Sequence, residues 1–150
     1  MIREAGPKDL PTLQEFEQGI VAAERAFNSN LKNELICYYD IGALIESEDS
    51  VVMVAEEQGH LLGSGYGRIK HSKTYLNHDS HAYLGFMFVA PSHRGLGINQ
   101  GIIQALIAWG KVRGIDDFYL DAYVENTSAI RAYEKLGFQQ SLVEMKLNLK

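Results

Sequence analysis

The amino-acid sequence predicts a mixed α/β fold, in which a central mixed sheet packs against helices. β-branched or apolar runs alternate with segments of helical apolar spacing, and glycines and prolines separate the two kinds of segment. The predicted order of elements is β-α-α-β-β-β-α-β-α-β. A length of 150 residues suits one hydrophobic core, so we expect a single domain over residues 1–150.

Local patterns justify the elements in the first half of the chain. A helix is predicted from Pro7 to about Asn28, because apolar residues recur there three or four positions apart. The turn Gln58–His60 separates two β-branched or apolar runs, which predicts a hairpin. The other elements predicted in this half are the strands Ile2–Ala5, Val51–Glu57 and Leu61–Ile69 and a helix over Tyr39–Ile45.

The second half begins with an apolar strand. Ala82–Val89 is almost all apolar, which is typical of a strand buried on both faces. After Pro91, a turn with two glycines leads into a long helix over Asn99–Arg113, whose apolar residues have clear helical spacing. The remaining predicted elements are a strand over Phe118–Val124, a short helix from Asn126 to Gly137 and a last strand over Ser141–Leu149.

The charge of the chain is acidic and unevenly distributed. It has 19 acidic and 14 basic residues, for a net charge of −5, which disfavours a nucleic-acid binder. Residues 1–57 carry a net charge of −8 and residues 58–150 carry +3. An acidic first third suits a cationic ligand, although two solvated surfaces of different sign would give the same totals.

The cysteine content and the apolar runs bear on the cellular location. Cys37 is the only cysteine, so no disulfide forms within the chain and a reducing compartment is expected. Its apolar neighbours predict a buried thiol rather than a nucleophile. The first residues lack the apolar core of a signal peptide, and no apolar run approaches the roughly 20 residues of a membrane helix. We therefore predict a cytoplasmic protein with no membrane partner.

A glycine-bearing turn is the main candidate for a binding site. It joins the buried strand to the long helix and contains Arg94, Gly95 and Gly97. The first amides of a helix lack internal partners and carry partial positive charge, so they attract anions. Glycines let successive amides turn toward one point, and an arginine adds a fixed charge. The turn predicts a phosphate or pyrophosphate site, but a plain strand-to-helix connection would use the same glycines.

Two motifs in order resemble those of a known enzyme family. Arg94–Asn99 (RGLGIN) resembles the acetyl-coenzyme A pyrophosphate motif of the GNAT superfamily N-acetyltransferases, Gln/Arg-x-x-Gly-x-Gly/Ala. Asn126–Phe138 resembles that family's later motif of asparagine, small residue, tyrosine and Gly-Phe. The resemblance covers nearly the whole chain. Asn99 departs from it, because this residue occupies the last Gly/Ala position of the first motif.

The resemblance implies a fold and a cofactor site. The fold would be a mixed, largely antiparallel sheet flanked by about four helices, with a splay between the fourth and fifth strands. Acetyl-CoA would be the co-substrate, with its pantetheine arm in the splay, and no metal would be needed. The implied cofactor-binding residues are Met87, Phe88, Val89, Arg94, Gly95, Leu96, Gly97, Ile98, Asn99, Asn126 and Tyr133.

The resemblance also implies catalytic roles. Tyr133 matches the tyrosine that acts as general acid toward the thioester sulfur, whereas helical spacing alone would place it in the core. Many relatives carry a glutamate early in the fourth strand as the base, but this chain has no carboxylate there. Glu24 and Glu17 lie at the border of the first helix's apolar stripe, so each carboxylate would either line a cleft or stay at the surface. We predict Glu24 as the base or the amine-binding residue.

Several other side chains are candidates for an acceptor pocket or a metal site. His71, His78 and His81 surround a polar loop, where exposed side chains are expected rather than metal ligands. The acidic candidates for the pocket are Glu17, Glu24, Glu34, Asp40 and Asp121, with Phe27, Tyr38 and Tyr39 as aromatic contacts.

The predicted function is acetyl transfer from acetyl-CoA to a primary amine, by direct attack in a ternary complex. The alternative is a non-catalytic acyl-CoA-binding or sensor module, which the missing strand carboxylate and Asn99 would favour. The expected acceptor is a small-molecule or peptide amine, and no nucleic-acid partner is expected. A homodimer is an expectation from the family alone.

Overall fold

Five strands form one sheet in the order in which they occur along the chain. A computed structural model describes all 150 residues. Neighbouring strands are antiparallel except for the last pair, which is parallel. The strands are β1 Ile2–Glu4, β2 Ser50–Glu57, β3 His60–His71, β4 Ser80–Val89 and β5 Phe118–Tyr119.

Four helices cover the two faces of this sheet. They are α1 Leu10–Glu24, α2 Ile41–Glu46, α3 Ile98–Val112 and α4 Thr127–Lys135. Residues of β2 belong alternately to the two layers, because successive side chains of a strand point to opposite faces of the sheet. Val52 and Val54 pack with residues of α1 and α2, whereas Val51 and Met53 pack with α3. This arrangement confirms the predicted mixed, largely antiparallel sheet.

The boundaries of two predicted elements were wrong. The first helix ends at Glu24 rather than near Asn28, because the chain turns there and the amides of Phe27 and Asn28 both donate to the Glu24 carbonyl (2.9 and 3.0 Å). The strand predicted over Phe118–Val124 pairs through its first two residues only, since β4 and β5 then diverge.

Two further predictions fail because the side chains concerned lie in solvent. No strand forms over Ser141–Leu149, and every residue of this stretch is exposed. Its alternating pattern suits a half-buried strand, but no neighbouring strand of the same chain lies alongside it. Cys37 is exposed rather than buried, because it lies in the irregular connection between α1 and α2.

A β-bulge in β4 explains where the sheet opens. Between the pairs Ser64–Phe88 and Tyr66–Gly85, β4 has one more residue than β3. Phe86 takes a left-handed conformation in this bulge (φ 57°), and its carbonyl accepts a hydrogen bond from Ser64 Oγ (3.0 Å). Bulges bend a strand and increase its twist. The bend therefore falls just beyond the last residue of β4 that pairs with β5.

The structure also bears on membrane association. None of the helices combines the length and the apolar character that crossing a bilayer requires.

We predict that Gly85→Ala strongly destabilises the protein. A Cβ atom at this position would overlap the Tyr66 ring, and that ring lies in the core beneath the bulge. We expect a loss of about 1–3 kcal/mol in the free energy of unfolding, which urea denaturation measures. Gly6→Ala is the matched control, because its Cβ would meet no atom within 4 Å. Equal stability of the two variants would contradict this account of the bulge.

Candidate active site

The gap between β4 and β5 defines the candidate site. The two strands pair only at Ala82–Phe118 and Tyr83–Tyr119, and beyond these residues they separate. The Ala90 amide donates to the Leu62 carbonyl of β3 (2.8 Å). Because main-chain groups alternate between the two edges of a strand, the Val89 amide and carbonyl face away from β3. The end of β4 thus presents main-chain groups on the side of the gap.

The start of α3 lies at the end of β4, as the glycine-bearing turn predicted. Gly95 and Gly97 both have φ of +80°, a conformation that disfavours other residues. Apart from Gly101, whose amide donates to the Gly97 carbonyl (3.1 Å), the amides at this helix start have no protein acceptor. Arg94 is exposed, and its Nε donates to the Val89 carbonyl (3.2 Å). Free amides and a guanidinium therefore meet where the gap opens.

Other predicted cofactor residues occupy this region with different exposure. Leu96 is exposed on the turn, whereas Asn99 is half-buried in the first turn of α3. Ile98 packs on the core between α3 and the sheet. Met87 packs on the same core, and Phe88 packs on the opposite layer against Phe16 of α1 (centroids 4.6 Å apart).

Two predicted site residues, Asn126 and Tyr133, lie at the start of α4 and within it. The Asn126 side chain caps α4, with Oδ1 accepting hydrogen bonds from the Ala129 amide (3.4 Å) and Ser128 Oγ (3.3 Å). Tyr133 is half-buried against Phe138, with ring centroids 6.1 Å apart. Burial raises the pKa of Tyr133, and the Glu24 carboxylate raises it further. The phenol therefore keeps its proton at neutral pH, as a proton donor must.

Glu24 lies at the end of α1, among tyrosines. Burial raises the pKa of this half-exposed carboxyl group, and the nearby Tyr38 hydroxyl partly offsets the effect. Burial together with Glu24 raises the pKa of Tyr38 to about 12. The buried Tyr38 Oη lies near Glu24 but has no partner with full hydrogen-bond geometry. The effects on Tyr38 and Tyr133 place all three side chains in one neighbourhood.

Glu17 has a structural role that the sequence pattern did not reveal. It is only 2% exposed, and its Oε2 accepts hydrogen bonds from the amides of Tyr38 and Tyr39 (both 2.8 Å). The sequence predicted that the Glu17 carboxylate would either line a cleft or stay at the surface. Both predictions were wrong, because this side chain accepts hydrogen bonds from main-chain amides of a distant segment. Glu17 thereby holds the two tyrosines against α1.

Aromatic rings line the α1 side of the sheet next to this group. Tyr39 packs against Tyr66 and Phe86, with ring centroids 5.5 and 5.3 Å apart. The Tyr83 hydroxyl donates to Asp121 (2.7 Å), and burial, followed by this contact, raises the pKa of Tyr83. Tyr83 therefore keeps its proton at neutral pH and is a poor general base.

The chain beyond β5 returns to the end of α1. The Tyr123 ring stacks on Phe27 (6.1 Å between centroids), and its hydroxyl accepts a hydrogen bond from Asn28 Nδ2 (3.0 Å). Asp121 thus contacts Tyr83 of β4, and Tyr123 contacts the segment that follows α1.

Two of the acidic candidates lie elsewhere. Asp40 caps α2, because its Oδ1 accepts a hydrogen bond from the Ala43 amide (3.1 Å). Glu34 is exposed in the connection between α1 and α2. Among the four acids predicted in the first third of the chain, Glu24 alone combines partial burial with proximity to Tyr133.

The histidines form a network rather than isolated loop side chains. Ser72 Oγ contacts Nδ1 of both His78 (2.6 Å) and His81 (2.9 Å), and His78 Nε2 contacts the Tyr119 hydroxyl (2.8 Å). Burial and the neighbouring His78 lower the pKa of His81. His71 is exposed, as expected, and no group of three His, Cys, Asp or Glu side chains has a metal-binding arrangement.

Comparison with known proteins identifies the family. The family model described as Acetyltransferase (GNAT) family matches residues 17–138. The chain belongs to this family. An aminoglycoside N(6')-acetyltransferase type 1 of Stenotrophomonas maltophilia is 26% identical over 102 residues, which cover 66% of this chain and 65% of that protein. The resemblance stated from the two motifs is therefore confirmed.

Solved structures agree with the fold. A mutant of the BH1408 protein of Bacillus halodurans has a TM-score of 0.88 at 22% identity, covering 100% of this chain and 99% of the other. A Clostridium acetobutylicum protein, described as a predicted acetyltransferase with acetyl-CoA, has a TM-score of 0.73 at 23% identity, with 99% and 96% coverage. These similarities confirm the GNAT fold, and the roles of individual site residues stay predictions.

Replacement of Glu17 tests its structural role. We predict that Glu17→Gln lowers the free energy of unfolding by about 1–2 kcal/mol, because a neutral amide oxygen is a weaker acceptor for the two amides than the carboxylate oxygen that now binds both. Urea denaturation measures this loss. Glu15→Gln on the exposed face of the same helix is the control and should leave stability unchanged. An unchanged Glu17→Gln midpoint would contradict the role of this carboxylate.

The raised pKa of Glu24 predicts how stability depends on pH. Its ionised form is disfavoured in the folded state, so the fold loses stability as pH rises from the unfolded value, about 4.3, through the folded pKa. We expect Glu24→Gln to match the wild-type melting temperature at low pH and to exceed it at neutral pH. Thermal unfolding across this pH range measures the difference. A variant that is less stable at neutral pH would show that Glu24 is not desolvated.

Proposed function

We propose that this chain is an acetyl-CoA-dependent N-acetyltransferase that acetylates a primary amine. One observation carries the proposal: unpaired amides at the start of α3 meet the open end of the gap between β4 and β5. Membership of the family supports the same activity, as does a relative named for aminoglycoside acetylation. The nucleotide end of acetyl-CoA would lie at α3, and its acyl end would lie along β4.

The turn before α3 suits a pyrophosphate. The positive φ of Gly95 and Gly97 exposes the amides, and no protein atom lies within 4 Å of either Cβ position, so an anion can approach closely. Arg94 would add a permanent positive charge to this cradle. Asn99 lies in the first turn of α3, where its side chain amide would donate to the same anion.

The gap suits the acyl arm of the co-substrate. The Val89 amide, directed away from β3, would donate a hydrogen bond to the thioester carbonyl. When bound, acetyl-CoA supplies a thioester whose acetyl carbon bonds to the amine nitrogen as the carbon–sulfur bond breaks. Asn126 already uses Oδ1 to cap α4, which leaves its side-chain N–H groups for the acyl arm.

Two side chains would handle the protons. Tyr133, whose pKa is raised, would donate its phenolic proton to the departing sulfur. Glu24 would accept a proton from the incoming ammonium group, since its raised pKa makes it a stronger base than an exposed glutamate. The ammonium group loses two protons as it becomes an amide: Glu24 would take the first and release it to solvent after turnover, and the second would restore the phenol of Tyr133.

Direct attack in a ternary complex fits the residues of the site. Cys37, the sole thiol, is exposed in the connection between α1 and α2, apart from both motifs. If no acetyl-enzyme forms, Cys37→Ser should retain activity, and labelled acetyl-CoA without an amine should leave no label on the protein.

The surroundings of Glu24 favour a cationic acceptor. A carboxylate beside Tyr38 and Tyr39 offers both charge and aromatic faces to an ammonium group. A panel of aminoglycosides, polyamines, amino acids and short peptides would identify the amine that this pocket accepts.

Activity of a tyrosine variant tests the proposal. We predict that Tyr133→Phe lowers kcat by about 100-fold, because the sulfur loses its proton donor, and leaves the Kd for acetyl-CoA unchanged. Release of the coenzyme A thiol with the amine panel measures the rate, and calorimetry measures binding. Tyr75→Phe on an exposed loop is the matched control.

The same measurements separate the alternatives. Tight acetyl-CoA binding with no thiol release for any amine would favour an acyl-CoA-binding or sensor module. Binding that survives Gly97→Val would show that the turn before α3 does not hold the co-substrate.

A further inference from the structure

Tyr38 bridges two carboxylates of helix α1. Its main-chain amide donates to Glu17 Oε2 (2.8 Å), and its buried hydroxyl lies near the Glu24 carboxylate. Glu17 and Glu24 are seven residues apart, which is close to two full turns, so both side chains leave α1 on the same side. Tyr38 therefore runs along this side of the helix from one carboxylate to the other.

Several contacts fix the position of the Tyr38 side chain. The carboxylate of Glu17, which holds the amide, is itself buried. Two residues earlier in the same segment, the Ile36 carbonyl accepts a hydrogen bond from Gln18 Nε2 of α1 (2.8 Å). The Tyr39 ring packs edge-on against the Tyr38 ring, with centroids 5.8 Å apart. A side chain held at its main chain and at its ring keeps its hydroxyl in one place.

Glu24 has no cationic partner in the structure. It forms no ion pair, and the guanidinium of the adjacent Arg25 donates to the carbonyls of Lys32 and Glu34 instead. The remaining titratable side chains around Glu24 and Tyr38 are three phenols: Tyr39, Tyr123 and Tyr133. Since no cation neutralises this carboxylate, a hydrogen-bond donor must stabilise its ionised form.

The Tyr38 hydroxyl is suited to be this donor. Burying a hydroxyl without an acceptor is unfavourable, and no other acceptor engages this one. Burial raises the pKa of Glu24, whereas the Tyr38 hydroxyl lowers it and thereby favours the ionised carboxylate. A carboxylate must be ionised to accept a proton, so the hydroxyl supports the form that a base needs.

We propose that Tyr38 is a positioning residue for acetyl transfer, because its hydroxyl orients the Glu24 carboxylate and keeps it ionised. This inference rests on the proposed function, in which Glu24 accepts a proton from the ammonium group. The hydroxyl acts through Glu24 rather than on the reacting atoms, and it keeps its own proton throughout. When Glu24 takes up a proton, the hydrogen bond from Tyr38 weakens, which favours release of that proton to solvent.

Titration of Glu24 by nuclear magnetic resonance tests this role in the protein alone. We expect Tyr38→Phe to raise the pKa of Glu24 by about 1, because the ionised form loses a charge-assisted hydrogen bond. The carbon-13 resonance of the Glu24 carboxyl group, followed across acidic and neutral pH, measures this value. An unchanged or lowered pKa would overturn the proposal.

The wild-type protein offers an independent measurement. The Cζ resonance of Tyr38 should shift with the same midpoint as Glu24, since protonation of the carboxylate weakens the bond to the phenol. A Tyr38 resonance that ignores the titration of Glu24 would contradict the hydrogen bond. This result decides the matter even if Tyr38→Phe fails to fold.

The matched control is Tyr39→Phe. The Tyr39 amide shares the Glu17 acceptor, but its hydroxyl lies near the Phe86 carbonyl, which also accepts from Ser64 Oγ (3.0 Å). Removing this hydroxyl should therefore leave the pKa of Glu24 unchanged. An equal rise in both variants would overturn the proposal, because packing rather than the Tyr38 hydroxyl would then control Glu24.

Thiol release links the titration to the reaction. With the most reactive amine of the panel, Tyr38→Phe should move the acidic limb of the kcat/KM profile upward by the same amount and leave the Kd for acetyl-CoA unchanged. Turnover with an unshifted acidic limb would overturn the role of Tyr38 alone. Absence of thiol release with every amine would instead refute the proposed function, and the two titrations would still decide whether Tyr38 controls Glu24.

Discussion

The separation of β4 from β5 is the constraint on which the site depends. A sheet normally pairs every main-chain donor and acceptor of its inner strands, and such a strand offers nothing to a ligand. In this protein the extra residue at the bulge bends β4 just beyond Tyr83, so the Val89 amide faces the gap and the Val89 carbonyl accepts from Arg94 Nε. The bulge requires an unfavourable left-handed conformation at Phe86. Burial of the Phe86 side chain and the hydrogen bond from Ser64 Oγ to its carbonyl offset this conformational energy. The site therefore results from interrupted pairing.

A second constraint organises the acceptor side of the gap. The connection between α1 and α2 is long and irregular, so its position needs an anchor. The buried Glu17 carboxylate supplies one by accepting two main-chain amides, and Tyr38 and Tyr39 then face the sheet. Burial at the end of α1 raises the pKa of the Glu24 carboxyl group, and the Tyr38 hydroxyl partly offsets this effect. One fixed carboxylate thereby helps to set the chemistry of another.

Much of the fold and part of the site could be predicted from the sequence. Periodicity located nearly all strands and helices, and the motif at Arg94–Asn99 located the helix start, since both depend on local spacing. The role of Glu17 could not be predicted, because its partners lie more than 20 positions away. Residues 141–149 illustrate a different limit: their alternation suits a half-buried strand, but local spacing does not show whether a neighbouring strand lies within reach.

The serine between two histidines has a consequence for their protons. Ser72 has one hydroxyl hydrogen, yet Nδ1 atoms of His78 and His81 both lie within hydrogen-bond distance of its oxygen. At least one imidazole must therefore donate its Nδ1 hydrogen to the Ser72 oxygen. If the other ring is His78 and it accepts at Nδ1, its Nε2 carries the hydrogen directed at the Tyr119 hydroxyl. The three-way junction thus couples the tautomers of two residues, because at most one of the two rings can accept at Nδ1.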